Sequence, residues 1–257
     1  MRIVVKVGTS TLAYSTGHLN IRHMETLCKV LSDIKNAGYE IIMVSSGAVG
    51  MGMGKLSLSE RPKELSLKQA AAAVGQCELM YTYDKLFSEY NHTVAQLLLT
   101  AEDINDSDRK NNFTNTILKL LDLGVIPIIN ENDTVAVNEL VIGDNDTLGA
   151  IVAKSVNADL IVILSDIDGV FTADPHKNPD AELISVIESI TPEIEKLAGD
   201  AGSSVGTGGM VTKISSAKIA TEAGCDMVIA NGADPNILYD IVEGEKAVGT
   251  RFIGVKQ

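Results

Sequence analysis

Polar and charged side chains follow four of the apolar runs in this 257-residue chain. The segments are KVGTS at 6–10, SSGA at 45–48, NEND at 130–133 and SDIDG at 165–169. Each preceding apolar run predicts a buried strand. Open α/β sheets bind ligands beyond the carboxyl ends of their strands. The sequence therefore predicts that these four segments meet at one edge of a single sheet.

Two lysines stand where they could contact phosphate. Lys6 ends the first apolar run and precedes Gly8, so an ammonium and several backbone N–H groups would share one turn, which suits a polyphosphate. A solvated lysine before an ordinary turn explains Lys6 equally well. Lys213 follows a glycine-rich segment, residues 202–209, at the predicted start of a helix, and glycines allow close backbone approach to phosphate. The chain contains no GxxxxGK[ST] pattern, so an ATP site would need another architecture.

The segment that follows Val44 predicts a helix whose first N–H groups face an anion. A helix that begins after Ser46 and Gly47 would direct its positive dipole end at a carboxylate or phosphate. The alternating Gly50 and Gly52 invite comparison with a dinucleotide-binding GxGxxG pattern, but Lys55 occupies the place of the third glycine. A helix of small residues that packs closely against a neighbour explains these glycines well.

Amides and carboxylates cluster at residues 130–133 and again at 143–147. This mixture suits an amino acid ligand, because a carboxylate can accept from its ammonium while amides and N–H groups contact its carboxylate. Asp144 or Asn145 could instead be a helix N-cap. A calcium loop is excluded because the glutamate required at its twelfth position is missing. The segment at 165–169 could face adenine or ribose, or could be an Asx-type turn.

The elements that would position these groups alternate along the chain. Nearly continuous apolar runs predict strands at about 2–7, 40–45, 93–99, 125–130, 160–165 and 226–230. Amphipathic segments predict helices at about 21–37, 66–90, 108–123, 145–156 and 212–223. A polar loop at 54–65 and hairpins at 134–143 and 169–184 are the predicted interruptions. This alternation predicts an α/β protein, a three-layer α/β/α sandwich with a mostly parallel central sheet.

The composition excludes several classes of function. A formal net charge of −13 argues against a general nucleic-acid surface. The three cysteines and four histidines show neither disulfide nor metal-ligand spacing, so no protein metal site is predicted. No apolar run reaches membrane-spanning length, and Lys6 and Gly8 interrupt the first apolar run too early for the apolar region of a signal peptide. We therefore expect a cytoplasmic protein with no membrane partner.

The segments together resemble the amino acid kinase family. The matching stretches are VKVGTS at 5–10, VSSGA at 44–48, AVGQ at 73–76, INEND at 129–133, GDND at 143–146, FTADP at 171–175 and GTGGM at 206–210. The pairing of the fourth and fifth stretches is similar to the branch of the family that acts on glutamate. This resemblance implies that ATP phosphorylates the γ-carboxylate of L-glutamate to L-glutamyl 5-phosphate, the first step towards proline.

The resemblance also implies roles for individual residues. Lys6 and Lys213 would flank the transferred phosphoryl group as catalytic residues, and Asp146 would hold both lysines in position. The glutamate-binding residues would be Ser46, Gly47, Asn130, Asp133 and Asn145. The ATP-binding residues would be Lys6, Gly8, Ser165, Asp166, Thr207, Gly208, Gly209, Met210, Val211, Thr212 and Lys213. Mg²⁺ would be held mainly by the ATP phosphates, with no protein ligand.

Further implications concern organisation and regulation. Residues 1–257 would form one kinase domain, with a glutamate-binding lobe over about 1–150 and an ATP-binding lobe over about 151–257. Many relatives carry a C-terminal PUA domain, which is not expected here because the chain stops at Gln257. A homo-oligomer and feedback inhibition by proline are also implied. Ser165 stands where relatives often have threonine, which keeps the hydroxyl.

Three alternatives stay open at this stage. A sibling kinase would act on N-acetylglutamate, aspartate or UMP. A nucleotide sensor of the same fold would bind its ligand without turnover. The presence of Lys6, Lys213 and Asp146 argues against a sensor, because a sensor could lose these residues. A dinucleotide-dependent dehydrogenase is the alternative at the level of fold, and the failed glycine pattern weakens it.

Overall fold

The computed structural model describes residues 1–14, 18–135, 144–175, 177–200, 209–244 and 246–256. Its strands are β1 (Arg2–Val7), β2 (Glu40–Val44), β3 (Val94–Leu99), β4 (Ile126–Glu131), β5 (Leu160–Ser165), β6 (Val186–Ile187), β7 (Asp226–Asn231) and β8 (Thr250–Phe252). Its helices are α1 (Thr9–Leu12), α2 (Ile21–Asn36), α3 (Ala48–Lys55), α4 (Leu65–Ser88), α5 (Ala101–Asn105), α6 (Ser107–Asp122), α7 (Asn145–Ser155), α8 (Pro192–Asp200), α9 (Met210–Glu222) and α10 (Ile237–Glu243). Every strand and helix predicted from the apolar pattern is present, with bounds that differ by one or two residues.

In the part of the chain that the structure describes, eight strands form one sheet in the order β3-β4-β2-β1-β5-β7-β8-β6. The pairings are parallel except for β7 with β8, which is antiparallel. Strands from the first half of the chain lie on one side of the β1–β5 pair, and strands from the second half lie on the other. The predicted mostly parallel sheet is confirmed. The two shortest strands, β6 and β8, extend it beyond the prediction.

Helices cover both faces of the sheet. On one face, Val4 and Ile161 belong to a buried cluster with α6, α7 and α9. On the other face, Val5 and Val162 pack with α2, α4 and α10. Neighbouring residues on a strand point to opposite faces, so both must be apolar in a sheet covered on each side. This arrangement confirms the three-layer α/β/α sandwich and explains the continuous apolar runs.

Helices α3 and α4 approach each other closely through glycines. A Cβ atom on Gly52 would lie 1.8 Å from the Ala71 carbonyl oxygen, and one on Gly75 would lie 1.7 Å from the Ala48 carbonyl oxygen. Neither distance leaves room for a side chain. The interpretation of the glycine-rich segment as a close-packed helix is confirmed, and the contact fixes α4 beside the N-terminus of α3.

The central part of the polar loop predicted at 54–65 is confirmed, whereas residues 54, 55 and 65 belong to the flanking helices. Residues 57–64 form neither helix nor strand. The expected hairpin at 169–184 is reduced to a single antiparallel bridge between Phe171 and Leu183, supported by a hydrogen bond from the Ile184 N–H to the Val170 carbonyl. Most of the hairpin expected at 134–143 lies outside the described residues. Within the described ranges, the helices include none with the length and apolar character needed to cross a membrane.

Candidate active site

Asp146 forms ion pairs with both predicted catalytic lysines. Its Oδ1 lies 2.5 Å from the Lys6 Nζ, and its Oδ2 lies 2.9 Å from the Lys213 Nζ. The Asp146 side chain has no exposed surface, and those of Lys6 and Lys213 are 7% and 5% exposed. Three residues that are far apart in sequence therefore form one buried cluster with two positive charges and one negative charge.

The fold determines where these three side chains meet. Lys6 lies near the carboxyl end of β1, Asp146 in the first turn of α7 and Lys213 in the first turn of α9. Gly149, one turn further along α7, faces the Lys6 stem: a Cβ there would lie 3.6 Å from the lysine Cβ. Helix α7 therefore packs directly against the Lys6 stem, whose ammonium group reaches Asp146 in the first turn of the helix.

The charge of Asp146 is maintained by the lysines. Burial alone would raise the pKa of its carboxyl group, but the Lys6 and Lys213 ammonium groups outweigh burial and hold that pKa below its ordinary value. The group is therefore ionised at neutral pH. Lys6, Asp146 and Lys213 together carry one net positive charge beside the N-termini of two helices, whose dipoles also favour anions.

Asp144 joins this cluster from the N-cap position of α7. Its side chain makes no capping hydrogen bond, and its Oδ2 instead accepts from the Thr212 Oγ1 at 3.0 Å. Burial and, after it, the nearby Asp146 charge raise the pKa of Asp144 to about 6, although Lys6 acts in the opposite direction. The sequence offered an N-cap as one reading of Asp144. Its contact with α9 could not be inferred, because the two residues are 68 positions apart.

A network of amides adjoins the charged cluster through Asn145. The Asn145 Nδ2 lies 2.7 Å from the Ser46 Oγ, 2.9 Å from the Ser45 carbonyl oxygen and 3.1 Å from the Asn130 Oδ1. The Asn145 Oδ1 is buried and has no hydrogen-bond partner among the described residues. Three predicted substrate residues, Ser46, Asn130 and Asn145, are thus in direct contact, next to Asp146.

The helix α3 begins at the same edge of the sheet. Gly47 precedes its first residue with φ of 94°, a left-handed conformation that favours glycine. This turn connects β2 directly to α3, so the N-terminus of the helix follows Ser46 closely in the chain. Asp133 lies half-buried in the turn after β4.

The predicted nucleotide residues lie at the ends of β1 and β5 and at the start of α9. Gly8 is the N-cap of the short helix α1. Ser165 ends β5, and its Oγ lies 3.1 Å from the Asp166 Oδ1. Gly209 is the N-cap of α9, with Met210, Val211, Thr212 and Lys213 in the first turn. Thr207 and Gly208 lie outside the described residues. Because β5 pairs with β1, these groups and Lys6 share one edge of the sheet.

The described residues include no group of three or more His, Cys, Asp or Glu side chains that could hold a metal ion. The two carboxylates nearest each other at the site, Asp144 and Asp146, are each engaged, with Thr212 and with the two lysines.

Comparisons with known proteins show the family of this chain. The sequence model described as the amino acid kinase family matches residues 1–231. The chain is 57% identical over 254 residues to a glutamate 5-kinase of Clostridium tetani, covering 99% of this chain and 95% of that protein. It is 54% identical over 256 residues to a glutamate 5-kinase of Caldanaerobacter subterraneus, covering 100% of this chain and 68% of that longer protein.

Solved structures share the fold at low sequence identity. An isopentenyl phosphate kinase superposes with a TM-score of 0.69 at 17% identity, covering 98% of this chain and 100% of that one. A carbamate kinase from Giardia lamblia bound to AMP-PNP gives 0.68 at 16% identity, covering 99% and 98%. From the family match, the relatives and the fold, the chain belongs to the amino acid kinase family.

Proposed function

We propose that this protein transfers the γ-phosphoryl group of ATP to the γ-carboxylate of L-glutamate, giving L-glutamyl 5-phosphate and ADP. The observation that carries the proposal is the buried cluster in which Asp146 pairs with Lys6 and Lys213. In this reading the lysines contact the transferred phosphoryl group from opposite sides, and Asp146 acts as a positioning residue.

The chemistry of the reaction fits the residues of the cluster. A carboxylate is already a nucleophile at neutral pH, so the acceptor requires no general base. The main barrier is the approach of an anion to a polyanion, and phosphoryl transfer depends on positioning and charge stabilisation. Two ammonium groups with low solvent exposure, together with helix N-termini, stabilise the charge that spreads over the phosphoryl oxygens.

The glutamate site would lie on the amide side of the cluster. The Asn145 Oδ1, which has no hydrogen-bond partner in the described part of the chain, can accept from the α-ammonium of the substrate, and Asp133 supplies a carboxylate for the same charge. Ser46, Asn130 and the N–H groups after Gly47 would contact the substrate carboxylates. This assignment uses each group according to its hydrogen-bonding capacity.

The ATP site would lie towards β5 and α9. Gly8 and the segment from Thr207 to Lys213 would contact the phosphates through backbone N–H groups, and Ser165 with Asp166 would face the nucleoside. Mg²⁺, carried on the ATP phosphates, would neutralise part of their charge, and we assign it no protein ligand. The strands on the two sides of the β1–β5 pair would then correspond to a glutamate lobe, about 1–150, and an ATP lobe, about 151–257.

The relatives support glutamate as the acceptor over N-acetylglutamate, aspartate or UMP. Both relatives described above are named glutamate 5-kinase, and they match this chain at more than 50% identity over nearly its whole length. We extend the proposal to a role in the first step of proline synthesis, to a cytoplasmic homo-oligomer and to inhibition by proline at a site that overlaps the glutamate site.

Release of ADP with a panel of acceptors tests this proposal. Wild-type protein with ATP and Mg²⁺ should release ADP rapidly with L-glutamate and far more slowly with N-acetyl-L-glutamate, L-aspartate, UMP or no acceptor. Lys213→Ala should lower turnover with glutamate by about 100-fold or more, as expected for loss of one charge stabiliser. Lys218→Ala is the matched control, because Lys218 lies on the same helix with 55% of its side chain exposed. Absence of glutamate-dependent ADP release from the wild type would refute the proposal and would favour a nucleotide sensor or a sibling kinase.

A further inference from the structure

Gln76 is hydrogen-bonded to Asn130, one of the residues proposed to contact glutamate. It belongs to α4 and is buried, and the close contact of Gly75 with α3 fixes its position. Its Oε1 accepts from the Asn130 Nδ2 at 2.9 Å. Nothing in the proposed reaction assigns Gln76 a role, although it is the last residue of one of the stretches that resemble the amino acid kinase family.

Backbone groups determine the orientation of each amide in this chain of hydrogen bonds. The Glu131 N–H can only donate, and it contacts the Asn130 Oδ1 at 2.9 Å. The Ser45 carbonyl can only accept, and it contacts the Asn145 Nδ2 at 2.9 Å. Asn130 must therefore direct its oxygen at Glu131 and Asn145 and its nitrogen at Gln76. Because the Ser45 carbonyl can only accept, Asn145 must direct its nitrogen, and not its oxygen, into the network.

The orientation of Asn145 leaves its oxygen as the open acceptor of the chain. Its Nδ2 has three oxygens within 3.1 Å, whereas its Oδ1 is buried without a partner among the described residues. A buried acceptor of this kind costs free energy unless a ligand donates to it. The ammonium group of an amino acid is such a donor, and a carboxylate is not.

We propose that Gln76 is a positioning residue, which acts through Asn130 to hold Asn145 with its Oδ1 open to the ammonium group of the substrate. This inference rests on the proposed function for the identity of the acceptor. Without an acceptor at position 76, the Asn130 nitrogen is buried and unpaired, so the Asn130 side chain rotates and withdraws its oxygen from Asn145. Asn145 then loses one of the contacts that fix its orientation.

Three single variants test whether the acceptor oxygen at position 76 matters. Gln76→Leu removes the acceptor at similar volume and should raise the KM for glutamate about tenfold, the effect of losing roughly one well-placed hydrogen bond to a charged group. The KM for ATP and kcat should stay within about threefold. Gln76→Glu keeps an acceptor oxygen in either protonation state and should keep the glutamate KM within about threefold of the wild-type value.

Tyr83→Phe is the matched structural control. Tyr83 is buried on the same helix, and its hydroxyl contacts the Ser45 Oγ at 3.0 Å, so it makes a buried hydrogen bond to a side-chain oxygen that takes no part in the amide chain. Its loss should leave the glutamate KM within about threefold. If Tyr83→Phe and Gln76→Leu raised that KM equally, a general loss of packing at α4 would explain both, and the positioning role would be wrong.

A double-mutant cycle with Asn130→Ala then tests the route of the effect. In the Asn130→Ala background, Gln76→Leu should change the glutamate KM by less than about twofold, because the residue through which it acts is gone. A full tenfold effect in that background would overturn the inference. The wild-type protein in the same series distinguishes failure of the proposed function from failure of the positioning role of Gln76. If the wild type does not use glutamate, the proposed function is wrong. The double-mutant cycle is then measured with the acceptor that the wild type does use.

Discussion

Replacing Asp146 with asparagine removes the carboxylate that lies between Lys6 and Lys213. The two ammonium groups contact different oxygens of that carboxylate, at 2.5 and 2.9 Å. If they stay roughly 5 Å apart after its loss, they repel each other by about 3 kcal/mol at an effective dielectric constant of about 20. Breaking a buried ion pair by removing one partner costs about 3–5 kcal/mol. We therefore expect Asp146→Asn to lower the free energy of unfolding by about 3–5 kcal/mol.

The same change should also reduce catalysis, because the lysines lose the group that positions them. We expect kcat to fall by about 100-fold or more. Urea unfolding followed by circular dichroism measures the first effect, and ADP release with saturating glutamate and ATP measures the second. Low temperature and saturating ATP keep the variant folded during the activity assay.

A second variant separates the two consequences of losing Asp146. Asp146→Asn combined with Lys213→Met removes the repulsion, so it should regain about 2–3 kcal/mol of the lost stability while remaining inactive. Asp144, which interacts with Lys6, would then be the carboxylate available to the remaining lysine. The reasoning is refuted if Asp146→Asn keeps kcat within threefold of the wild type, or if the double variant is less stable than the single one.

Three further predictions follow from the same structure. The pKa of Asp144, raised to about 6 from 3.8, means that the folded state holds its proton more tightly than the unfolded state, so this residue contributes stability below about pH 4 that is lost as pH rises through 6. Asp144→Asn should therefore gain about 2–3 kcal/mol relative to the wild type between pH 4 and pH 8 in urea titrations, and a difference that is independent of pH would contradict this. Gly75→Ala should destabilise the protein by about 2 kcal/mol or more, because the new Cβ meets the backbone of α3. Gly50→Ala, whose Cβ would lie 3.7 Å from its nearest neighbour, should be neutral or stabilising. Equal melting temperatures for these two variants would contradict the close packing of α3 and α4. Asp133→Ala should raise the KM for glutamate about tenfold or more with little change in the KM for ATP. Steady-state kinetics with each substrate varied measures both constants, and a larger change in the KM for ATP than in the KM for glutamate would contradict this assignment.

The apolar pattern was sufficient to predict the main strands and helices. Runs such as 160–164 are long, uncharged and bounded by polar residues, which is typical of strands buried on both faces. Strands β6 and β8 are two and three residues long, too short to show a pattern. They form only because β7 offers an edge to β8, and β8 in turn pairs with β6.

The chemistry at strand ends was predictable for a different reason. Lys6 is an ionisable residue at the end of an apolar run, and Asn130 is a polar one, so each stands out against the core pattern. Which of these groups touch is a property of the folded chain. The contacts of Asp144 with Thr212 and of Gln76 with Asn130 join residues 68 and 54 positions apart, and no local signal encodes them.

The most direct test of the account follows the labelled carboxylate of the acceptor. Wild-type protein is incubated with ATP, Mg²⁺, hydroxylamine and L-glutamate labelled with ¹³C at its γ-carboxyl carbon. An acyl phosphate at that carbon reacts with hydroxylamine, so carbon NMR should detect a labelled hydroxamate, formed in proportion to the ADP released. ADP release without labelled hydroxamate, or hydroxamate formed at the α-carboxylate, would contradict the proposal that the lysine cluster directs phosphoryl transfer to the γ-carboxylate.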